Sequence, residues 1–276
     1  METFFSFLSK RVDDCSSLIC VGLDPHPADL GKPTAEAAKE FCLSIIKKTA
    51  PYAAAFKPNA AFFEMHGAEG WEALQEVIQG VQAESERLGS LIPVILDAKR
   101  GDIASTAEAY ASSAFGRLGA HAITLNPYLG KDSIEPFLSW KEKGVFLLCK
   151  TSNPGAADLQ DLIIMNGESQ TMPLYLHVAG LAQGWNTRDN IGLVVGATHP
   201  EALKRVREAA PDLWILVPGV GAQGGDLETS LRAGLRKDGK GMLINVARSI
   251  ARADDPGRAA AEMRDAIINM KYHLHL

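Results

Sequence analysis

No basic block, no membrane-length apolar run and no paired-cysteine motif occurs in this 276-residue chain. Each absence excludes a class of function. Lys and Arg total 28 against 33 Asp and Glu, for a formal net charge of −5. Binding a nucleic-acid backbone needs a concentrated positive face, so nucleic acid is not the expected partner. No stretch approaches the ~18 apolar residues of a membrane span, so no membrane partner is expected either. The opening METFFSFLSKRVDD has an acid at position 2 and no basic region ahead of an apolar run, so it does not read as a signal peptide. Cys15, Cys20, Cys42 and Cys149 are scattered. Buried reduced thiols are the expectation, not disulfides or a metal site. His26, His66, His121, His177 and His199 form no i, i+4 pair, and His273 and His275 make a terminal H-x-H that reads as tail. Neither a metal nor another cofactor is therefore expected. The composition as a whole points to a soluble cytoplasmic protein.

What is present is a rhythm of short apolar runs without helical period. They lie at 17–24, 53–59, 92–99, 121–126, 144–152, 191–197, 213–221 and 241–248. Continuous apolar runs suit parallel strands buried on both faces. Segments of helical character separate them. Residues 34–48 keep Ala37, Phe41, Ile45 and Lys48 near one stripe, and 70–88 run from Trp71 through Leu74, Val77 and Val81. Thr198 and Glu201 stand at capping-box spacing, as do Asp132 and Glu135. A last helix covers roughly 255–271. Eight strand–helix units in this length predict the α/β class and a (β/α)8 TIM barrel, with a doubly wound open sheet as the alternative. No linker, repeat or low-complexity tract divides residues 1–276, which read as one domain. Residues 153–173 are too long for an ordinary barrel loop and predict a lid or a small excursion.

Polar residues fall repeatedly at the C-terminal ends of the runs: Asp24, Lys57, Asn59, Asp97, Lys99, Asn126, Lys150, Ser152 and Arg248. That end is where such barrels carry their chemistry. In VILDAKRGDIAST, residues 94–106, strand alternation puts Asp97 and Lys99 on one side, and Asp102 follows past Gly101. Two carboxylates around one lysine hold it charged and fix its direction, which suits a proton donor better than a Schiff-base amine. A purely structural ion pair is the bland alternative, and a poor one, because buried pairs seldom repay their desolvation. Gly219, Gly221 and Gly224 satisfy G-x-G-x-x-G, but in the seventh unit and with no acid ending the next strand. A glycine loop carrying Gln223 over a monophosphate, completed by Arg248, fits better than a dinucleotide site. Asp24 and Lys57 end adjacent strands and read either as a pair for sugar hydroxyls or as a rim salt bridge. Ser152 reads either as a polar turn before Pro154 or as a group that contacts a heterocycle or carbonyl.

The motifs VGLDP, FKPNAAFFE, DAKRGDI, TLNPYLG, KTSNPG, PGVGAQGGD and NVARSI cover nearly the whole chain. Together they resemble the orotidine 5′-phosphate decarboxylases, and more narrowly the longer bacterial (type 2) branch. The D-x-K-x-x-D of Asp97, Lys99 and Asp102 is shared with relatives that act on keto-gulonate and hexulose phosphates. The resemblance implies decarboxylation of orotidine 5′-monophosphate to uridine 5′-monophosphate, without a cofactor, in de novo pyrimidine biosynthesis. It implies that Lys99 protonates C6 and that Asp97 lies near the substrate carboxylate. It further implies that Asp102 and Thr106 reach the partner's site in a homodimer, and that Asp24 and Lys57 bind the ribose. Ser152 would contact the pyrimidine, Gln223 would span base and phosphate, and Arg248 would bind the phosphate. The long 153–173 segment departs from the compact form of the family. The alternatives are a metal-dependent sugar-phosphate decarboxylase or aldolase and a non-catalytic nucleotide-binding barrel.

Overall fold

The computed structural model describes residues 3–166, 170–220 and 225–274. Each of the eight apolar runs contains a strand. In chain order these are β1 (Ile19–Leu23), β2 (Ala55–Pro58), β3 (Ile95–Arg100), β4 (Ala122–Leu125) and β5 (Gly144–Lys150), then a separate hairpin of β6 (Ile163–Asn166) and β7 (Gln170–Pro173), then β8 (Ile191–Val195), β9 (Trp214–Pro218) and β10 (Met242–Val246). The parallel sheet runs β2-β1-β10-β9-β8-β5-β4-β3. Its two ends meet through parallel bridges at Phe56–Val94 and Asn59–Asp97. The Phe56 N–H donates to the Pro93 carbonyl at 2.9 Å and the Ala60 N–H to the Asp97 carbonyl at 3.1 Å. The sheet thus closes into the (β/α)8 barrel, and the open doubly wound alternative, which leaves two free edges, is excluded.

Strands β1 and β8 are buried at every position, because helices cover the outer face and side chains fill the inside. In the helix Ala35–Thr49 the buried positions are Ala35, Ala38, Cys42, Ile45, Ile46 and Thr49, while Lys48 is exposed. The stripe keeps the expected Ile45 and runs through Ala38 and Cys42 in place of Ala37 and Phe41. Neither expected capping box forms. Pro200 opens the helix Pro200–Ala209, and a residue before proline avoids the helical region, so His199 becomes the N-cap in place of Thr198. The short helix Glu135–Leu138 begins after Ile134, past Asp132.

The sequence reading assigns no element to the first 16 residues, yet a helix, Phe4–Cys15, crosses the N-terminal end of the barrel. The Thr3 hydroxyl accepts the Ser6 N–H and the Ser6 hydroxyl accepts the Thr3 N–H, which sets its start. Phe4 lies 6.1 Å from Phe146, and Phe5 stacks on Trp214 at 6.2 Å with rings 6° apart. A Cβ on Gly144 would come 2.4 Å from Phe4, so glycine at the foot of β5 is what lets the plug seat. Buried Arg11 donates to the Ala50 and Ala53 carbonyls at 2.6 and 3.0 Å. The pattern Phe4, Phe5, Leu8, Val12 carries the signal for this helix.

Between β5 and the helix Leu174–Trp185 the chain forms a 3-10 turn, Pro154–Asp158, and the antiparallel β6–β7 hairpin. Its root is tied to the barrel. Buried Lys150 donates to Asp161 at 2.6 Å, and Gln160 accepts the Thr151 N–H at 2.8 Å. Among the described residues no helix is long and apolar enough to cross a membrane.

Truncating a fully buried phenylalanine costs about 3–5 kcal/mol. Phe4→Ala is therefore expected to lower the unfolding free energy by about 3 kcal/mol or more in urea titration, while the opposite, C-terminal end of the barrel keeps its geometry. A loss below about 1 kcal/mol would mean that the plug contributes little to the barrel.

Candidate active site

The chemistry begins with an irregularity in the ladder. β3 and β4 pair at Ile95–Ala122 and Leu96–Ile123, slip, and pair again at Arg100–Leu125. Asp97, Ala98 and Lys99 lie in the slip. Lys99 has a φ of 49°, in the left-handed region that lysine rarely enters. Simple alternation, the expected cause, is therefore not what brings Asp97 and Lys99 together. They meet all the same, with Lys99 Nζ donating to Asp97 Oδ1 at 2.6 Å. The other oxygen, Oδ2, accepts from Lys57 Nζ at 2.7 Å.

The arrangement inverts the expected one: a carboxylate sits between two lysines, not a lysine between two carboxylates. Asp102 makes no ion pair among the described residues, and its Oδ1 accepts the adjacent Ile103 N–H at 2.8 Å. It lies past the end of β3. Thr106 is exposed on the helix Ala104–Ala111. Neither joins the cluster within this chain.

The exposed fractions of the three side chains are 5% for Lys57, 11% for Asp97 and 52% for Lys99. Burial alone would raise the Asp97 carboxyl, but the Lys57 and Lys99 ammonium groups outweigh it and hold the group well below the usual carboxylate range. Burial likewise acts to lower Lys57, and the charges of Asp97 and Asp24 outweigh it and raise the group. Of the two readings of Asp24 and Lys57, the rim salt bridge does not form: closure of the barrel brings β3 beside β2, and Lys57 bonds to Asp97 while Asp24 acts on it through the field. Asp24 Oδ1 is buried without a hydrogen-bond partner among the described residues, as are Asn245 Oδ1 and Thr198 Oγ1. Buried polar atoms normally have partners, so these three mark a polar mouth.

The remaining expected residues lie on loops at the same end. Ser152 follows β5, half-buried, and a Cβ on Gly196 would come 2.9 Å from its own Cβ, so the loops after β5 and β8 are in close contact. Arg248 does not end β10; it opens the short helix Arg248–Ala251 and is exposed. Gln223 lies outside the described residues. The described residues on either side, Gly219 at φ 96° and Gly225, are joined by the Gly225 N–H donating to the Gly219 carbonyl at 3.1 Å. Lys150 is taken by Asp161, and Asn126 Oδ1 accepts the Tyr128 N–H at 3.0 Å. The sequence gives no site role to Thr124, Thr198 or Asn245 and no sign of the Arg100–Glu64 ion pair that ties β3 to the helix Ala61–Glu64. Glu64 stands within the FFE motif but gave no spacing signal toward Arg100, and a strand threonine is ordinarily read as β-propensity.

A closed (β/α)8 barrel with a buried ion cluster and unsatisfied polar atoms at its C-terminal mouth is the architecture of a barrel enzyme. The model of the orotidine 5′-phosphate decarboxylase / HUMPS family matches residues 17–263. A curated orotidine 5′-phosphate decarboxylase of Roseiflexus castenholzii is 51% identical over 267 residues, 95% of this chain and 94% of that protein. The structure of Leishmania donovani OMP decarboxylase is 55% identical, with a TM-score of 0.86 over 98% of this chain and 99% of the other. That of Leishmania donovani UMP synthase is also 55% identical, with a TM-score of 0.89 over 99% of this chain and 57% of the other. The chain belongs to the orotidine 5′-phosphate decarboxylase / HUMPS family.

The folded-state value of Asp97 lies below the ~3.9 of an unfolded aspartate, so its ionisation stabilises the fold in full above about pH 4. That contribution is lost as the pH falls toward the folded value. Asp97→Asn, which leaves Lys57 buried beside a neutral amide, is expected to cost about 3 kcal/mol at pH 7. The gap to the parent protein should narrow between pH 4 and pH 3 in urea unfolding, since ionised Asp97 loses its advantage there. A gap that does not change with pH would show that the charge of Asp97 does not stabilise the fold.

Proposed function

We propose that this chain decarboxylates orotidine 5′-monophosphate, the activity its relatives' names give for them, and so yields uridine 5′-monophosphate in pyrimidine biosynthesis. The observation that carries the reading is the Lys57–Asp97–Lys99 cluster at the mouth of a barrel of this family. The bond from C6 to the carboxylate carbon breaks, carbon dioxide leaves, and the electron pair stays on C6. Lys99 gives that carbon a proton and is reprotonated from solvent. A fixed ammonium stabilises the localised carbanion more than the ground state, which is the condition for acceleration. Asp97 directs the Lys99 ammonium. Asp24 and Lys57 take the ribose, Ser152 the pyrimidine, Gln223 base and phosphate, and Arg248 the phosphate. We treat the chain as one domain without a cofactor. Four buried free thiols suit a cytoplasmic setting.

The homodimer belongs to the same proposal. Lys99 is half open to solvent within one chain, and the second carboxylate beside it, Asp102, would come from the partner together with Thr106. On the segments that follow β2, β3 and β4, Met65, Ile103, Tyr128 and Leu129 are exposed apolar side chains, of the kind an interface covers.

Lys99→Ala is expected to bind uridine 5′-monophosphate and to lose at least ~10²–10⁴-fold in kcat, the usual worth of a positioned proton donor. Asp102→Ala should also be inactive. Mixed under subunit exchange, the two should regain up to about a quarter of parent activity, because half the dimers then hold one intact site. No recovery with exchange demonstrated would refute the shared site, and near-parent turnover by Lys99→Ala would refute the mechanism.

Arg248→Ala should lower kcat/KM for orotidine 5′-monophosphate at least ~10-fold, since a charge-assisted hydrogen bond is worth about 1.5–3 kcal/mol. For orotidine, which has no phosphate, the loss should be small. Equal fractional losses on the two substrates would place the phosphate elsewhere.

A further inference from the structure

We infer that Thr124 is the positioning residue that sets Lys99 for proton transfer, an inference that rests on the decarboxylase reading above. Where the β3–β4 register slips, the N–H groups of Ala98 and Lys99 lose their ladder partners. A buried N–H needs an acceptor. Thr124, only 2% exposed on β4, supplies one oxygen for both: Ala98 N–H and Lys99 N–H each donate to Thr124 Oγ1 at 3.0 Å. A hydroxyl has two acceptor sites and one proton. With both acceptor sites filled, the proton must point elsewhere, and Asp97 Oδ1 lies 3.0 Å away to receive it. The same carboxylate oxygen receives Lys99 Nζ at 2.6 Å.

One hydroxyl therefore holds both ends of the lysine. It clamps the backbone in the left-handed conformation, φ 49°, that a β-carbon disfavours, and it orients the carboxylate that directs the ammonium. The proton inventory also requires Asp97 Oδ1 to be an acceptor, which keeps that oxygen unprotonated when Lys99 is charged. Valine has the shape of threonine and none of these bonds, whereas serine keeps them all. The geometry thus separates a role in packing from a role in positioning.

The test compares Thr124→Val and Thr124→Ser with the parent protein. Thr124→Val is expected to lower kcat for orotidine 5′-monophosphate by about 10- to 100-fold, the usual scale for loss of a hydrogen bond to a charged group. Its dissociation constant for uridine 5′-monophosphate should change by less than about 3-fold, because the binding residues are untouched. Thr124→Ser should stay within about 3-fold of the parent in kcat, since it restores both acceptance and donation. Should the valine variant not fold, Thr124→Cys, whose thiol is a weak acceptor and donor and fills the site, replaces it in the same comparison. Parent-like kcat in the valine or cysteine variant overturns the inference, as does failure of serine to rescue, or a parallel loss of product affinity. Crystal structures of the parent and the valine variant give a readout independent of turnover. Departure of Lys99 from the left-handed region supports the clamp even if the parent proves inactive on orotidine 5′-monophosphate, a result that would end the functional reading alone. An unchanged Lys99 overturns the clamp.

Discussion

A carboxylate that serves two lysines at the seam where the barrel closes is the constraint on which the site depends. Asp97 is nearly buried, and so is Lys57. Neither charge would be tolerated there alone, because removal from water costs several kcal/mol per ion and is offset only by close, well-formed pairing. Lys57 comes from β2 and Asp97 from β3, the two strands that join the ends of the sheet. Closure of the barrel and neutralisation of the charge are therefore one event. Lys99 adds a second positive charge to the same carboxylate while keeping half its surface open. The cluster is thus finished on the side facing the core and unfinished on the side facing the mouth, which is the asymmetry a reactive lysine needs.

The other end of the barrel shows the opposite design. Phe4, Phe5 and Phe146 interlock with Trp214, and the mouth's polar atoms have no counterpart among these rings. The packing of these rings carries no charge, so its contribution does not rest on the ion cluster at the mouth. The top can then hold strained backbone and unsatisfied oxygens, features that cost stability and are found where binding or chemistry needs them. Lys150 belongs to this division of labour. It is buried at the rim and tied by Asp161 to the hairpin segment, so its charge anchors an extension and leaves the mouth to Lys57 and Lys99.

Much of this was legible in the residues themselves. Unbroken apolar runs made the eight strands visible, because strands buried on both faces cannot alternate with polar positions. Asp24, Lys57, Asp97, Lys99 and Ser152 stood out because a polar residue just past an apolar run must sit where the strand meets the mouth. Composition argued against nucleic acid as a partner, and no apolar run reached membrane length. The motif resemblance, the family match and the closed sheet agree on what kind of protein this is.

What the sequence could not determine is who bonds to whom. Asp24 and Lys57 are neighbours by strand order, yet the ring closure gives Lys57 to Asp97, a pairing across 40 positions. Asp97 and Lys99 meet through a slip in the ladder and not through alternation, and a slip leaves no mark in a six-residue strand. Thr124 looks like any strand threonine until the fold sets it beside two stranded N–H groups. Strand identity is local, encoded in the apolarity of five or six consecutive residues. Partnership at a strand end is decided by shear, closure and register, which are properties of all eight strands together.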